Sequence, residues 1–287
     1  DYRGGGGLYG PANEIYLKVG DKTIPLSGKW KYKISASNSD FDFVEYGPNA
    51  YPSLLYNAMV NPLVGLSMQG VIWYQGENNT NRAKEYYHLF PAMINDWRKK
   101  WGKDFPFYWV QLANYMDAVE VPSESLWAQV REAQTQTLSL SHTGQAVIID
   151  IGEAKDIHPK NKKEVGRRLA LHALHNDYGF SDVVCESPMP KTVRRVQDKI
   201  VVQFDNVADG LIVKNKYGYL MSFAVAGNDG VYKWVQAKVA GKDRVVLSCP
   251  DVIDPVSVRY AWGDNPDDAN LYNSVGLPAT PFEIRIE

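Results

Sequence analysis

The chain has 287 residues, 45% hydrophobic and 12% aromatic, which is enough apolar content for a large core and too much for a disordered segment. Formal net charge is -2 without a dense Lys/Arg block, so neither nucleic acid nor an anionic membrane is indicated as a partner. No apolar run approaches the roughly 20 residues of a membrane-spanning helix, and Cys185 and Cys249 are too few for a disulfide framework or a CxxC metal site and read as buried thiols.

The opening Asp-Tyr-Arg-Gly lacks the charged and apolar regions of a signal peptide, and a processed or truncated product is expected. Gly4 to Gly7 disfavour regular structure. Residues 1–50 therefore read as a linker or the tail of an insertion, with short extended stretches at Glu14 to Lys18 and Trp30 to Ile34.

Residues 51–185 alternate apolar strands with amphipathic helices. Gly70 to Tyr74, Phe107 to Leu112 and Ala146 to Ile151 have the continuous apolarity of buried parallel strands. Tyr86, Leu89, Phe90, Met93, Ile94, Trp97 and Trp101 recur at helical steps, with Pro91 expected to kink or divide the helix. Ser125 to Ser139 forms a second helix. A third follows His158-Pro159, where Asn161 and Glu164 have capping-box spacing. The pattern predicts an α/β fold: a parallel sheet with helices on both faces and its ligand site at the carboxyl ends of the strands. In residues 186–287 helical periodicity gives way to short strands between Gly, Asp, Asn and Pro turns, which predicts a small all-β, sandwich-like domain.

Polar clusters follow all three strands of the α/β region: Gln75-Gly76-Glu77-Asn78-Asn79, Asn114, and Gly152-Glu153 leading to Asp156-Ile157-His158. His158, in a loop between a strand and a capped helix, is the candidate general base, since an imidazole can take a proton from a hydroxyl and return it to a leaving alkoxide. A structural loop histidine is the other reading. Asp156, two residues earlier, can orient the ring or simply form the turn, and Glu77 is a second orienting candidate. Gln75, Gly76, Asn78 and Asn79 can supply donors to an oxyanion. His88, His142, His172 and His175 read as structural. Arg131, Glu132, Arg167 and Arg168 read as solvated ion pairs or as contacts to an anionic substrate. Trp73, Trp109 and Trp127 line either a sugar cleft or the core. The sequence has no HExxH, clustered Cys/His set, P-loop or dinucleotide fingerprint, so no cofactor or metal is indicated for a reaction.

Taken together, VIWYQGENN (Val71 to Asn79), LFPAMINDWRKKWG (Leu89 to Gly102), DFPFYWVQLANY (Asp104 to Tyr115), WAQVREAQTQTL (Trp127 to Leu138), IDIGEAKDIHPKNKKEVGRRLAL (Ile149 to Leu171) and VRYAWGDNPDDANLYNSVGLPATPF (Val258 to Phe282) resemble the sialate O-acetylesterases, in the same order. The resemblance implies an SGNH-hydrolase, flavodoxin-like three-layer core that deacetylates sugar hydroxyls, typically on sialic acid, through an acetyl-serine intermediate. It makes His158 the catalytic histidine and Gln75-Gly76-Glu77 part of the oxyanion block. Two departures stand out. The superfamily usually carries Asp three residues before the histidine, where this chain has Lys155, and the family's Gly-Gln-Ser-Asn block is absent from the sequence. The nucleophile is therefore expected on an N-terminal polypeptide of the same precursor, with this chain alone inactive and a sheet strand missing. The resemblance also implies a secreted or periplasmic protein. An acetyl xylan or other plant-glycan esterase, and a non-catalytic carbohydrate-binding fragment, are the alternatives.

Overall fold

The computed structural model describes residues 10–30 and 51–287. Gly4 to Gly7 and the Lys31 to Ile34 part of the second extended stretch lie outside the described residues. The chain divides into two compact units, Asp1–Leu63 and Val64–Glu287. In the first, β1 (Tyr16–Val19) and β2 (Lys22–Pro25) form an antiparallel hairpin closed by Gly20 and Asp21, overlapping the expected stretch at Glu14 to Lys18. Short helical turns occupy Tyr56–Leu63.

The second unit begins with a parallel sheet of three strands, β3 (Val71–Trp73), β4 (Phe107–Val110) and β5 (Thr143–Ala146), in the order β3-β4-β5. Successive side chains of a strand point to opposite faces, and β4 shows it directly. Phe107 and Trp109 pack with Tyr86, Phe90 and Ile94 of helix α1 (Ala83–Trp101) and with Trp127, Val130 and Ala133 of α2 (Leu126–Gln136). Tyr108 and Val110 face the other way, onto Val165 and Leu169 of α3 (Lys162–Asn176). Trp109 and Trp127 are thus core residues, and Trp73 is partly buried against Trp97 and Phe107.

Three details differ from the sequence pattern. Helix α1 runs continuously through Pro91, because its strongly apolar face, buried against β4, outweighs the loss of one backbone hydrogen bond. The third strand is Thr143–Ala146, ahead of the apolar run at Ala146 to Ile151. That run is buried for another reason: Val147 and Ile149 enter the core of the antiparallel region, while Ile148 packs with α3. Finally, β3 is not buried on both faces. It pairs only with β4 among the described residues, and the Ile72 side chain is 71% exposed.

The remaining strands are β6 (Met189–Val196), β7 (Lys199–Asp205), β8 (Leu211–Val213), β9 (Phe223–Ala226), β10 (Tyr232–Trp234), β11 (Gln236–Ala240), β12 (Arg244–Ser248), β13 (Ser257–Tyr260), β14 (Leu271–Asn273) and β15 (Phe282–Arg285). They form two four-stranded antiparallel sheets, β10-β9-β13-β15 and β11-β12-β7-β6, and a β14-β8 ribbon. One cluster of apolar side chains, including Val202, Phe204, Val225, Leu247, Val258 and Tyr260, fills their core together with Val147 and Ile149. Cys185 and Cys249 are buried free thiols.

Candidate active site

The carboxyl ends of the parallel strands place the polar clusters where the strand order predicts, and hydrogen bonds fix each of them. After β3, Gly76 sits at φ +148°, a backbone conformation that side chains disfavour. A Cβ there would also crowd Leu112 and Gln134. Gln75 is held by its neighbours: its side-chain amide donates to Asn79 Oδ1 at 2.7 Å, and Tyr86 OH donates to its Oε1 at 3.1 Å. Gln134 Nε2 donates to Gln75 O at 3.3 Å, while Gln134 Oε1 accepts from Leu112 N at 3.0 Å. Gln134 thereby couples the end of β3 to the end of β4. Glu77 and Asn78 open the short helical turn Glu77–Arg82, and Asn79 N donates to Gly76 O at 2.9 Å, so the Asn79 amide is used within the turn.

After β4, Asn114 holds the third loop. Its Oδ1 accepts from Gly152 N at 2.7 Å, and a Cβ on Gly152 would collide with the Asn114 carbonyl and amide oxygens, so only glycine permits this approach. Asn114 Nδ2 donates to Asn265 Oδ1 at 2.9 Å, and Asn265 Nδ2 donates to Met116 O at 2.8 Å. Asn265 was not a candidate from its residue type; its place in the WGDNPDD stretch was the available signal.

The loop from Gly152 then closes on itself. Glu153 accepts from both Lys160 N, at 3.1 Å, and Lys160 Nζ, at 2.7 Å, and these bonds hold its carboxyl below the usual range. His158 stands between them in sequence with its side chain 76% exposed. Its backbone N–H donates to Asp156 Oδ1 at 2.9 Å, and its Nδ1 lies 3.6 Å from the same oxygen. The first of these is a turn bond and the second is too long for a hydrogen bond, yet the carboxylate lies on the Nδ1 side of the ring. The His158 backbone amide is also the main reason that the Asp156 carboxyl titrates below its ordinary value. At neutral pH Asp156 is an anion beside an accessible imidazole. Of the two candidate carboxylates, Asp156 is the one that lies at the His158 ring.

Arg131 is neither a solvated ion-pair member nor a substrate contact. It is fully buried and donates to the carbonyls of Leu112, Ala113, Gly263 and Asp264 at 2.5–2.9 Å. Burial pulls its guanidinium down to about 9, still charged at neutral pH. Its partner in sequence, Glu132, instead accepts from Tyr87 OH at 2.6 Å. Arg167 pairs with Glu164 on the surface, whereas Arg168 is buried between Glu164, Asp150 and Val147 O. Asn161 caps α3 by accepting from Glu164 N at 3.2 Å, but the Glu164 side chain serves the two arginines rather than closing a reciprocal capping box. His88 and His175 are exposed helix residues, and His142 pairs with Asp104. His172 is buried under the sheet and is raised to about 9: burial opposes its protonation, and the Cys185 and Glu186 side chains outweigh burial.

Known proteins give a consistent neighbourhood. Residues 39–175 match the family described as carbohydrate esterase, sialic acid-specific acetylesterase. The chain is 31% identical to a rat sialate O-acetylesterase over 85% of its own length and 50% of that protein, and 30% identical to the human one over 82% and 49%. It thus spans about half the length of the curated relatives it matches. A crystal structure of a carbohydrate acetylesterase from Xanthomonas citri superposes with a TM-score of 0.77 at 45% identity, covering 82% of this chain and 55% of that one.

Proposed function

Since the chain belongs to the sialate O-acetylesterase family of carbohydrate esterases, we propose that it forms the histidine-bearing part of an esterase that removes acetyl groups from sugar hydroxyls. One observation carries the reading: an accessible imidazole, His158, beside an ionised Asp156, in a loop clamped to the carboxyl edge of a parallel sheet through Asn114 and Gly152. This is the base and its orienting carboxylate in search of a nucleophile.

The nucleophile in this proposal is a serine on an N-terminal polypeptide of the same precursor, within a Gly-Gln-Ser-Asn block that this sequence lacks. That polypeptide also supplies the strand that pairs with the open side of β3 and covers Ile72, completing an SGNH-type, flavodoxin-like three-layer domain. In that arrangement residues 51–185 are the hydrolase portion and the sandwich-like residues 186–287 brace its loops. His158 takes the serine proton as the serine oxygen bonds to the acetyl carbon, and Asp156 stabilises the imidazolium. Donors from Gln75, Gly76, Glu77 and Asn78, with the side-chain amide of Asn79, surround the carbonyl oxygen as its charge develops. The sugar alkoxide leaves with the proton from His158, and water then releases acetate from the acetyl-serine by the same steps in reverse roles. A secreted or periplasmic location accompanies this reading.

Sialic acid is the substrate that the family name indicates, but the arginines favour a neutral acetylated glycan as a second reading. Arg131, Arg167 and Arg168 each bond within the chain, so none of these three candidates is free for a sugar carboxylate. Acetate release from O-acetylated sialic acid and from acetylated xylan oligosaccharides, measured with this chain joined to its N-terminal polypeptide, separates the two. Release from neither, by a folded complex, would refute the esterase reading.

A further inference from the structure

The fold builds a ligand set that sequence spacing did not show. Cys185 and Glu186 lie beside the buried ring of His172, and one ligand atom from each lies within 4.8 Å of the other two. His172 Nδ1 is 3.5 Å from Glu186 Oε1, and Cys185 Sγ is 4.0 Å from the same oxygen. Metal bonds of about 2.0–2.3 Å in a tetrahedron place ligand atoms roughly 3.3–3.7 Å apart, so small side-chain adjustments suffice.

The imidazole is prepared for this role. His172 Nε2 lies 3.1 Å from Gln145 O, which accepts only an N–H, so Nε2 keeps its proton and Nδ1 is the nitrogen that a cation, by displacing the Nδ1 proton, would use. A backbone carbonyl on the far nitrogen is the arrangement that orients metal-binding histidines. Nδ1 itself is fully buried and makes no hydrogen bond, which is costly unless another group uses it. The ring cannot turn away: it stacks on Tyr108, with centroids 5.5 Å apart, and a Cβ on Gly144 would lie 2.5 Å from Nδ1. Glu186 is partly exposed and leaves one side of the cluster open to solvent.

The geometry points to a binding site for a divalent cation of the zinc type, held by His172 Nδ1, Cys185 Sγ and a Glu186 carboxylate oxygen, with water as the fourth ligand. Imidazole, thiolate and carboxylate together suit Zn2+ or Co2+ and not Mg2+ or Ca2+, which prefer all-oxygen sets. On binding, the Cys185 S–H and His172 Nδ1–H bonds are replaced by bonds to the metal and both protons are released to solvent. The cluster lies under the sheet on the α3 side and has no part in the esterase chemistry proposed for His158.

Titration of the full chain with Co2+, followed by near-ultraviolet absorption, tests the assignment. The expected result is a thiolate-to-cobalt charge-transfer band that saturates at one equivalent, is displaced by Zn2+, is lost in Cys185→Ala and persists in Cys249→Ala. Because His172→Gln risks unfolding a packed site, the partly exposed Glu186→Gln is the second variant, expected to fold and to weaken Co2+ by roughly 10-fold or more. Absence of the band, its survival in Cys185→Ala, or an unchanged Co2+ affinity in Glu186→Gln would overturn the site and leave a buried imidazolium facing a carboxylate.

Discussion

The junction between the parallel sheet and the antiparallel strands, and the loop that carries His158, lie at the same sheet edge but are built in opposite ways. The junction is held by buried guanidiniums and a dense set of bonds: Arg131 serves four carbonyls, Arg259 bridges Glu124 and Glu283, and Ser125 Oγ donates to Asp264 while capping α2 through Ala128 N. The loop is wet: the His158 side chain is largely exposed, with Asp156 Oδ1 on the Nδ1 side of its ring. Buried polar groups must be satisfied and so fix geometry. An exposed imidazole keeps its second nitrogen for a group that arrives from elsewhere. The difference teaches that the segment from Arg259 to Asn273, far from the loops in sequence, is what makes the sheet edge rigid enough to present an incomplete site.

Substitutions should respect this division. In the esterase assembled with its serine-bearing polypeptide, His158→Ala is expected to lower kcat roughly 10²–10⁴-fold while the melting temperature of the chain stays within measurement error. An equal loss of stability would show that the loop belongs with the junction. Arg131→Met should do the reverse, stripping donors from four buried carbonyls and costing about 3–5 kcal/mol in urea unfolding. A near-neutral Arg131→Met would remove the distinction between the two regions. Gly76→Ala, at φ +148° and against Leu112 and Gln134, is expected to cost about 1–3 kcal/mol and to lower kcat as well, because it disturbs the turn proposed to bind the oxyanion.

The smallest effect is acid sensitivity. Arg167 hydrogen bonding, reinforced by Arg168, holds Glu164 at about 2, against an ordinary value of 4.5. A carboxyl depressed in the folded state contributes stability above its unfolded pKa, and this contribution is lost as pH falls from about 4.5 toward about 2. Glu164→Gln should therefore flatten the pH dependence of the melting temperature over that window. A slope unchanged by the substitution would assign acid sensitivity to other carboxylates.

What the sequence disclosed follows from which signals are local. Helix faces at Tyr86, Phe90 and Ile94 and at Val130 and Ala133, the Asn161 cap, and the polar clusters after β3 and β4 are all set by near neighbours and were legible. The third strand was displaced because apolarity reports burial, not pairing. Thr143–Ala146 reads as polar since Gly144 accommodates the His172 ring and Gln145 accepts from Trp109 Nε1 inside the layer, whereas Val147 and Ile149 are apolar for the sake of another core. Arg131 was misread for a similar reason. Its carbonyl partners at Gly263 and Asp264 are more than 130 residues away, and nothing in a helix pattern marks an arginine that will be buried by them. The cluster of His172, Cys185 and Glu186 likewise required the fold, since α3 and the segment after it converge only in three dimensions.

The central claim is that His158 serves a serine on another polypeptide, and the most direct measurement is labelling with a fluorophosphonate followed by mass spectrometry of the digested complex. The account predicts one adduct, on the serine of a Gly-Gln-Ser-Asn segment outside this chain, formed only when that polypeptide is present and strongly slowed by His158→Ala. An adduct on a serine of this chain, or labelling that ignores His158, would contradict it.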